Sequence, residues 1–107
     1  MSIFSRRIKS LSMSKVISEM QADPTIQLID VRTKEEFRGG RIPKAVNVPV
    51  ENLQLISKVV PNKDAKVFVY CLSGGRSTQA AHMLDQMGYT NITNLGGIMS
   101  YNGPIER

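Results

Sequence analysis

The chain has one cysteine, Cys71, in the heptapeptide Cys71-Leu72-Ser73-Gly74-Gly75-Arg76-Ser77, directly after the hydrophobic run Val67-Phe68-Val69-Tyr70. The pattern predicts a strand ending at Tyr70 and a helix beginning near Ser77, joined by a short loop. Such a loop turns several backbone N–H groups toward the cysteine sulfur, and the positive end of the helix dipole faces the same point. Both favour a thiolate over a thiol. Gly74 and Gly75 permit positive φ and a close approach of backbone to an anion. Arg76 adds a full positive charge on a planar fork suited to oxyanions. Cysteines at helix N-termini or beside cations titrate as low as roughly 3.5–7.5, so Cys71 is a candidate nucleophile at neutral pH. The plainer reading, a buried core cysteine, requires neither the glycines nor the arginine.

The loop length separates chemistries. Cysteine phosphatases and arsenate reductases place five residues between Cys and Arg, whereas Leu72, Ser73, Gly74 and Gly75 make four here. The shorter ring suits one sulfur atom added to the cysteine better than a tetrahedral phosphoryl group. Ser77 has two readings of equal weight: its hydroxyl bonds the thiolate, or its oxygen caps the helix by accepting a first-turn N–H. A lone cysteine excludes an intramolecular disulfide framework, and one cysteine with one histidine argues against a structural zinc site. His82 shares the polar helix face with Gln79 and Gln86, away from the helix start, and is not expected to serve Cys71 as a base. The six methionines are read as packing residues.

These residues need a scaffold. An edge strand is expected over Ile8–Leu11, then a helix capped by Ser12 or Ser14 and running to about Gln21, with Val16, Ile17 and Met20 at helical spacing. Asp23-Pro24 breaks it. Ile26–Val31 reads as a buried strand. Thr33 and Glu36 fit a capping box for a brief helix ended by Gly39-Gly40. Ala45–Val48 is a short strand closed by Pro49. Glu51–Val60 is predicted as a helix with Leu53, Ile56 and Val60 inward and Pro61 beyond. Lys66–Tyr70 is the most hydrophobic strand and is expected at the centre. Ser77–Met87 is a helix burying Ala80, Ala81, Leu84 and Met87, stopped by Gly88. Asn91–Leu95 is the last strand. Alternating strands and helices imply an α/β fold: a mainly parallel sheet of four to five strands with helices on both faces. Ligands of such sheets bind beyond the carboxyl ends of the strands, where Cys71 lies.

At 107 residues, with 41% hydrophobic and 21% charged content, the chain is expected to fold as one globular domain over residues 1–107. Its net charge of +5 suits an acidic surface or a small anion. The basic residues are scattered and no RNA-binding aromatic motif is present, so no nucleic-acid partner is expected. No apolar run reaches the roughly 18 residues that span a membrane. The stretch from Met1 to Lys15 is Ser-rich and basic, as transit peptides are. It is read instead as the first strand and helix of a cytoplasmic domain, because its removal would cost both elements.

The chain resembles the rhodanese family of sulfurtransferases in its compact single-domain form. Four segments in order carry the likeness: Asp30-Val31-Arg32 with Glu35, Glu36 and Phe37; Gly39–Pro49; the loop Cys71–Ser77, which matches Cys-x-x-Gly-x-Arg-Ser; and Asn94–Tyr101 with its Leu-x-Gly-Gly pattern. The resemblance implies a rhodanese-like three-layer sandwich and covalent sulfur transfer. Cys71 would take the outer sulfur of thiosulfate or a persulfide donor and pass it from its own persulfide to cyanide or a thiol. Leu72, Ser73, Gly74, Gly75, Arg76 and Ser77 would bind the persulfide and the donor's oxyanion. No metal or cofactor is implied, and a sulfur-carrier protein is a further conceivable partner. Asp30 and Arg32 would be structural supports. The chain departs from the family at Arg41 (usually His), Lys44 (usually Gly) and Tyr101 (usually Trp). Arg41 and Lys44 either steer anionic donors or are solvated surface charges, the second being favoured slightly. The competing function is a non-enzymatic sulfur carrier or redox sensor using Cys71.

Overall fold

A computed structural model describes residues 8–107; the first seven residues of the basic N-terminal stretch lie outside the described residues. Five strands form one all-parallel sheet in the order β1-β5-β4-β2-β3. They are β1 (Ile8–Ser10), β2 (Gln27–Asp30), β3 (Val46–Asn47), β4 (Val67–Cys71) and β5 (Ile92–Gly97). Their most hydrophobic member, β4, is central as expected, and all five of its residues are buried. The helices are α1 (Val16–Ala22), α2 (Lys34–Gly39), α3 (Ile56–Val59) and α4 (Gly75–Gln86).

Alternation along β4 distributes its side chains between two cores. Val67, Val69 and Cys71 join Ile29, Leu53, Ile56, Ala80, Ala81 and Leu84 beneath α3 and α4. Phe68 and Tyr70 join Met13, Val16, Leu28 and Leu95 on the α1 side. The sheet is therefore covered on both faces, as a parallel sheet requires.

Several local signals act as read. Ser12 is the cap, but it begins a 3-10 turn over Met13–Lys15 that leads into α1. Thr33 and Glu36 form the complete capping box of α2. The helix expected over Glu51–Val60 is different: Val50–Leu55 is 3-10, and only Ile56–Val59 is α-helical. Asn52, at φ −122° and ψ 32°, departs from helical geometry inside that stretch. The apolar spacing Leu53, Ile56, Val60 buries all three residues regardless, which is why periodicity did not distinguish the two helix types. On α4, Ala80, Ala81 and Leu84 are buried as expected, while Met87 packs half-buried at the edge of the core.

Candidate active site

Strand β4 runs one residue further than expected and includes Cys71, whose ladder partner is Gly97. Helix α4 starts two residues earlier, at Gly75, so only Leu72, Ser73 and Gly74 connect the two. Gly74 holds φ +113°, a left-handed conformation that favours glycine. It turns its N–H onto the Cys71 sulfur at 3.0 Å. Gly75 is ordinary helix without positive φ, so only one of the two glycines is conformationally required. Cys71 itself is 1% exposed. Burial opposes ionisation of its thiol. The Ser77 hydroxyl and the N–H groups of Ser77, Gly74 and Ser73 outweigh burial and hold the pKa below the ordinary thiol value. Among these donors, the Gly74 N–H makes the hydrogen bond to the sulfur.

Ser77 is not the helix cap, because Gly74 occupies that position and α4 has no side-chain cap. The Ser77 hydroxyl donates: to the Gly74 carbonyl at 3.1 Å, at longer range to Gly96, and toward the sulfur. A hydroxyl has one proton, and rotation delivers it to whichever acceptor is more negative. Ionised Cys71 is the strongest claimant.

Strand β5 forms the seat of the loop. A register shift opposite Val69 and Tyr70 places Leu95 as an extra residue, and Gly96 follows at φ +82°. Asn94 fixes this bulge. Its Oδ1 accepts from Gly96 N–H at 3.0 Å, and its Nδ2 donates to Thr78 of α4 at 3.1 Å. Thr78 in turn donates through its hydroxyl to the Gly74 carbonyl at 2.9 Å. Gly97 then lies directly against the loop: a Cβ there would collide with the Leu72 carbonyl and come within 2.6 Å of Ser73 Cα. The Met99 N–H closes the contact by donating to Leu72 O at 3.2 Å.

Arg76 makes an ion pair that the sequence did not announce. Its Nη1 and Nη2 donate to the two carboxylate oxygens of Glu36, at 2.7 and 2.9 Å. The same Glu36 Oε1 accepts the Thr33 N–H at 2.9 Å. One carboxylate therefore completes the cap of α2 and clamps the first turn of α4. The Arg76 guanidinium, with the Thr33 donors, holds the Glu36 carboxyl at about 2. The end-on fork of Arg76 is spent on this pair.

Asp30 and Arg32 lie elsewhere. Asp30 pairs in register with Tyr70, on the face opposite Cys71. Arg32 Nη2 reaches Asp30 at 2.7 Å and the Gly40 carbonyl at 2.7 Å, and its guanidinium lies 5.7 Å from the Tyr70 ring centre. Tyr70 accepts the Ile42 N–H, and burial, foremost, pushes its hydroxyl pKa up. This closed, buried network matches the supporting role. Arg41 is also engaged: its backbone pairs with Glu106, and its guanidinium stacks 4.8 Å over Phe37 and meets Glu106 at 3.5 Å. Lys44 is exposed and holds φ +73°, the conformation that a glycine at this position adopts without cost. His82 is exposed on α4, about 10 Å along the axis from the helix start. Tyr101 is half-buried and donates to Pro104 O at 2.7 Å; a Cβ at Gly103 would strike its ring.

Glu36 and Gly97 were not singled out from sequence as site residues. Glu36 carried its capping signal and a place in the first segment of the resemblance, and Gly97 only its place in the Leu-x-Gly-Gly pattern.

Known proteins resemble this chain in sequence and fold. The profile of the Rhodanese-like domain family matches residues 13–103. The thiosulfate sulfurtransferase PspE of Escherichia coli is 39% identical over 71 residues, spanning 65% of this chain and 68% of PspE. A sulfurtransferase of Allochromatium vinosum is 39% identical over 90 residues, spanning 82% of this chain and 83% of that protein. A solved rhodanese from E. coli superposes with a TM-score of 0.73 at 35% identity, covering 77% of this chain and 98% of its own. The chain belongs to the rhodanese family of sulfurtransferases.

Proposed function

We propose that this protein moves a sulfane sulfur from thiosulfate or a persulfide donor, through a persulfide on Cys71, to cyanide or a thiol. The observation that carries this reading is the 3.0 Å contact of Gly74 N–H with a Cys71 sulfur whose pKa is lowered by its ring of donors. In the first step the thiolate attacks the outer sulfur of the donor. The donor S–S bond breaks, and its electron pair leaves with sulfite when thiosulfate is used. In the second step the acceptor attacks the outer sulfur of the persulfide, and Cys71 departs as the stabilised thiolate. No separate base is needed when the thiol is already ionised. Leu72, Ser73, Gly74, Gly75, Arg76 and Ser77 line the space that receives the outer sulfur. The N–H groups supply most of the anion stabilisation, since Glu36 offsets much of the Arg76 charge. The whole of residues 1–107 acts as one domain in this reading, and the chemistry calls on no cofactor or metal.

Thiocyanate formation from thiosulfate and cyanide, compared with Cys71→Ser, tests the assignment. The unaltered chain is expected to turn over and the serine variant to be inactive. Equal turnover by both would remove Cys71 from the chemistry. A chain that takes up sulfur yet forms no thiocyanate would be a carrier. Cys71-dependent hydrolysis of an aryl phosphate would favour phosphoryl transfer instead.

A further inference from the structure

Arg32 and Arg76 each turn a guanidinium fork to one carboxylate, Asp30 and Glu36 respectively. The first pair is sealed, with side chains 5% and 0% exposed. The second is 31% and 27% exposed, which lets water and a small anion reach it. Its two partners are unequally held. Glu36 stands on α2, where its Oε1 also accepts the Thr33 N–H at 2.9 Å. Arg76 stands on the first turn of α4, and among the described residues its guanidinium hydrogen bonds go to Glu36. The arginine can therefore turn away while the carboxylate stays. Arg76 also lies within electrostatic reach of ionised Cys71 and of Glu51. A cation this near the nucleophile, with its fork already occupied, meets an incoming anion only by releasing a carboxylate.

We propose that Glu36 sets how tightly this site binds an anionic sulfur donor, by competing with the donor's oxyanion for the Arg76 fork. Glu36 is a positioning residue here, since it touches Arg76 and neither the sulfur nor the donor. The proposal rests on the persulfide reading above. On donor binding, the charge-assisted hydrogen bonds from Nη1 and Nη2 to the carboxylate are exchanged for bonds to the oxyanion. No covalent bond of either residue changes. The released carboxylate keeps its bond from Thr33 and is hydrated from its exposed side. Because of this exchange, thiosulfate binds more weakly than it would to an unpaired arginine.

Single-turnover loading of Cys71 from thiosulfate, followed by intact mass spectrometry over seconds to hours, measures even slow variants. Glu36→Gln keeps the side-chain length and the oxygen that the α2 cap uses. It is expected to lower the half-saturating thiosulfate concentration about fivefold, the upper end of what an exposed ion pair contributes, with a smaller change in the maximal loading rate. In an Arg76→Gln chain the same substitution is expected to shift half-saturation by less than about 1.5-fold, because no guanidinium is left to release. An unchanged or raised half-saturation in Glu36→Gln would overturn the proposal: the carboxylate would then be no competitor, or would hold Arg76 where the donor needs it. A full fivefold fall in the Arg76→Gln chain would overturn it as well, by tracing the effect to overall charge. The two readings fail separately. An unchanged mass in the unaltered chain removes the persulfide reading together with this one, whereas normal loading with half-saturation unmoved by Glu36→Gln removes this one alone.

Discussion

Ser77 and Glu36 decide how reactive Cys71 is and how well its loop is held. Ser77 contributes both a hydroxyl and an N–H to the sulfur. Ser77→Ala removes only the hydroxyl, and with it one charge-assisted hydrogen bond. The midpoint of Cys71 alkylation against pH is therefore expected to move upward, and the rising limb of the activity profile with it. Rapid iodoacetamide labelling followed by mass spectrometry reads both variants. An unmoved midpoint would assign the Ser77 hydroxyl to its two carbonyl contacts alone. Glu36 acts differently, since it touches Arg76 and not the sulfur. Its role was not legible because the pair joins residues 40 positions apart, and only the capping-box spacing could be read locally. The contact of the Gly74 N–H with the Cys71 sulfur was legible because Cys71, Gly74 and Arg76 lie within six residues and the loop signal is local.

At the scale of elements, the loop of residues 72–74 rests on the end of β5. The collision of a Gly97 Cβ with Leu72 and Ser73 is with backbone, which cannot rotate away. Gly97→Ala is expected to displace the loop and lower turnover by about 100-fold, the usual consequence of misplacing reacting groups by about 1 Å. Circular dichroism should show the fold retained, with stability lowered by about 1–3 kcal/mol, as overpacking does. Full activity in that variant would mean the seat yields freely. Strands β2, β4 and β5 were legible because buried parallel strands are short and β-branched, a signal that depends little on neighbours. The bulge at Leu95 and the 3-10 stretch Val50–Leu55 were not. Both depend on which hydrogen bonds tertiary packing leaves available, and apolar spacing is the same either way.

At the scale of the whole molecule, two carboxylates join separate segments of the chain and are held low by their partners. Glu36 pairs α4 with α2, and Asp23 pairs with Lys66 at 2.7 Å; both carboxyls are lowered to about 2. A carboxyl whose folded pKa is depressed stabilises the fold fully above its unfolded value of about 4.5 for Glu36, and that contribution is lost as pH falls toward about 2. Glu36→Gln should therefore destabilise the protein at pH 7 by about 1 kcal/mol, allowing for solvent screening, and have little effect near pH 2. Urea unfolding at the two pH values measures the difference, and an equal loss at both would point to packing instead of charge. The layered architecture was legible from the alternation of strands and helices, whereas these cross-links between elements emerge only when the chain is folded. The central claim, that Cys71 carries the transferred sulfur, is tested most directly by intact mass spectrometry after incubation with thiosulfate. The account predicts a gain of one sulfur atom, absent in Cys71→Ser and released by cyanide as thiocyanate; an unchanged mass in the unaltered chain, or the same gain in the serine variant, would contradict it.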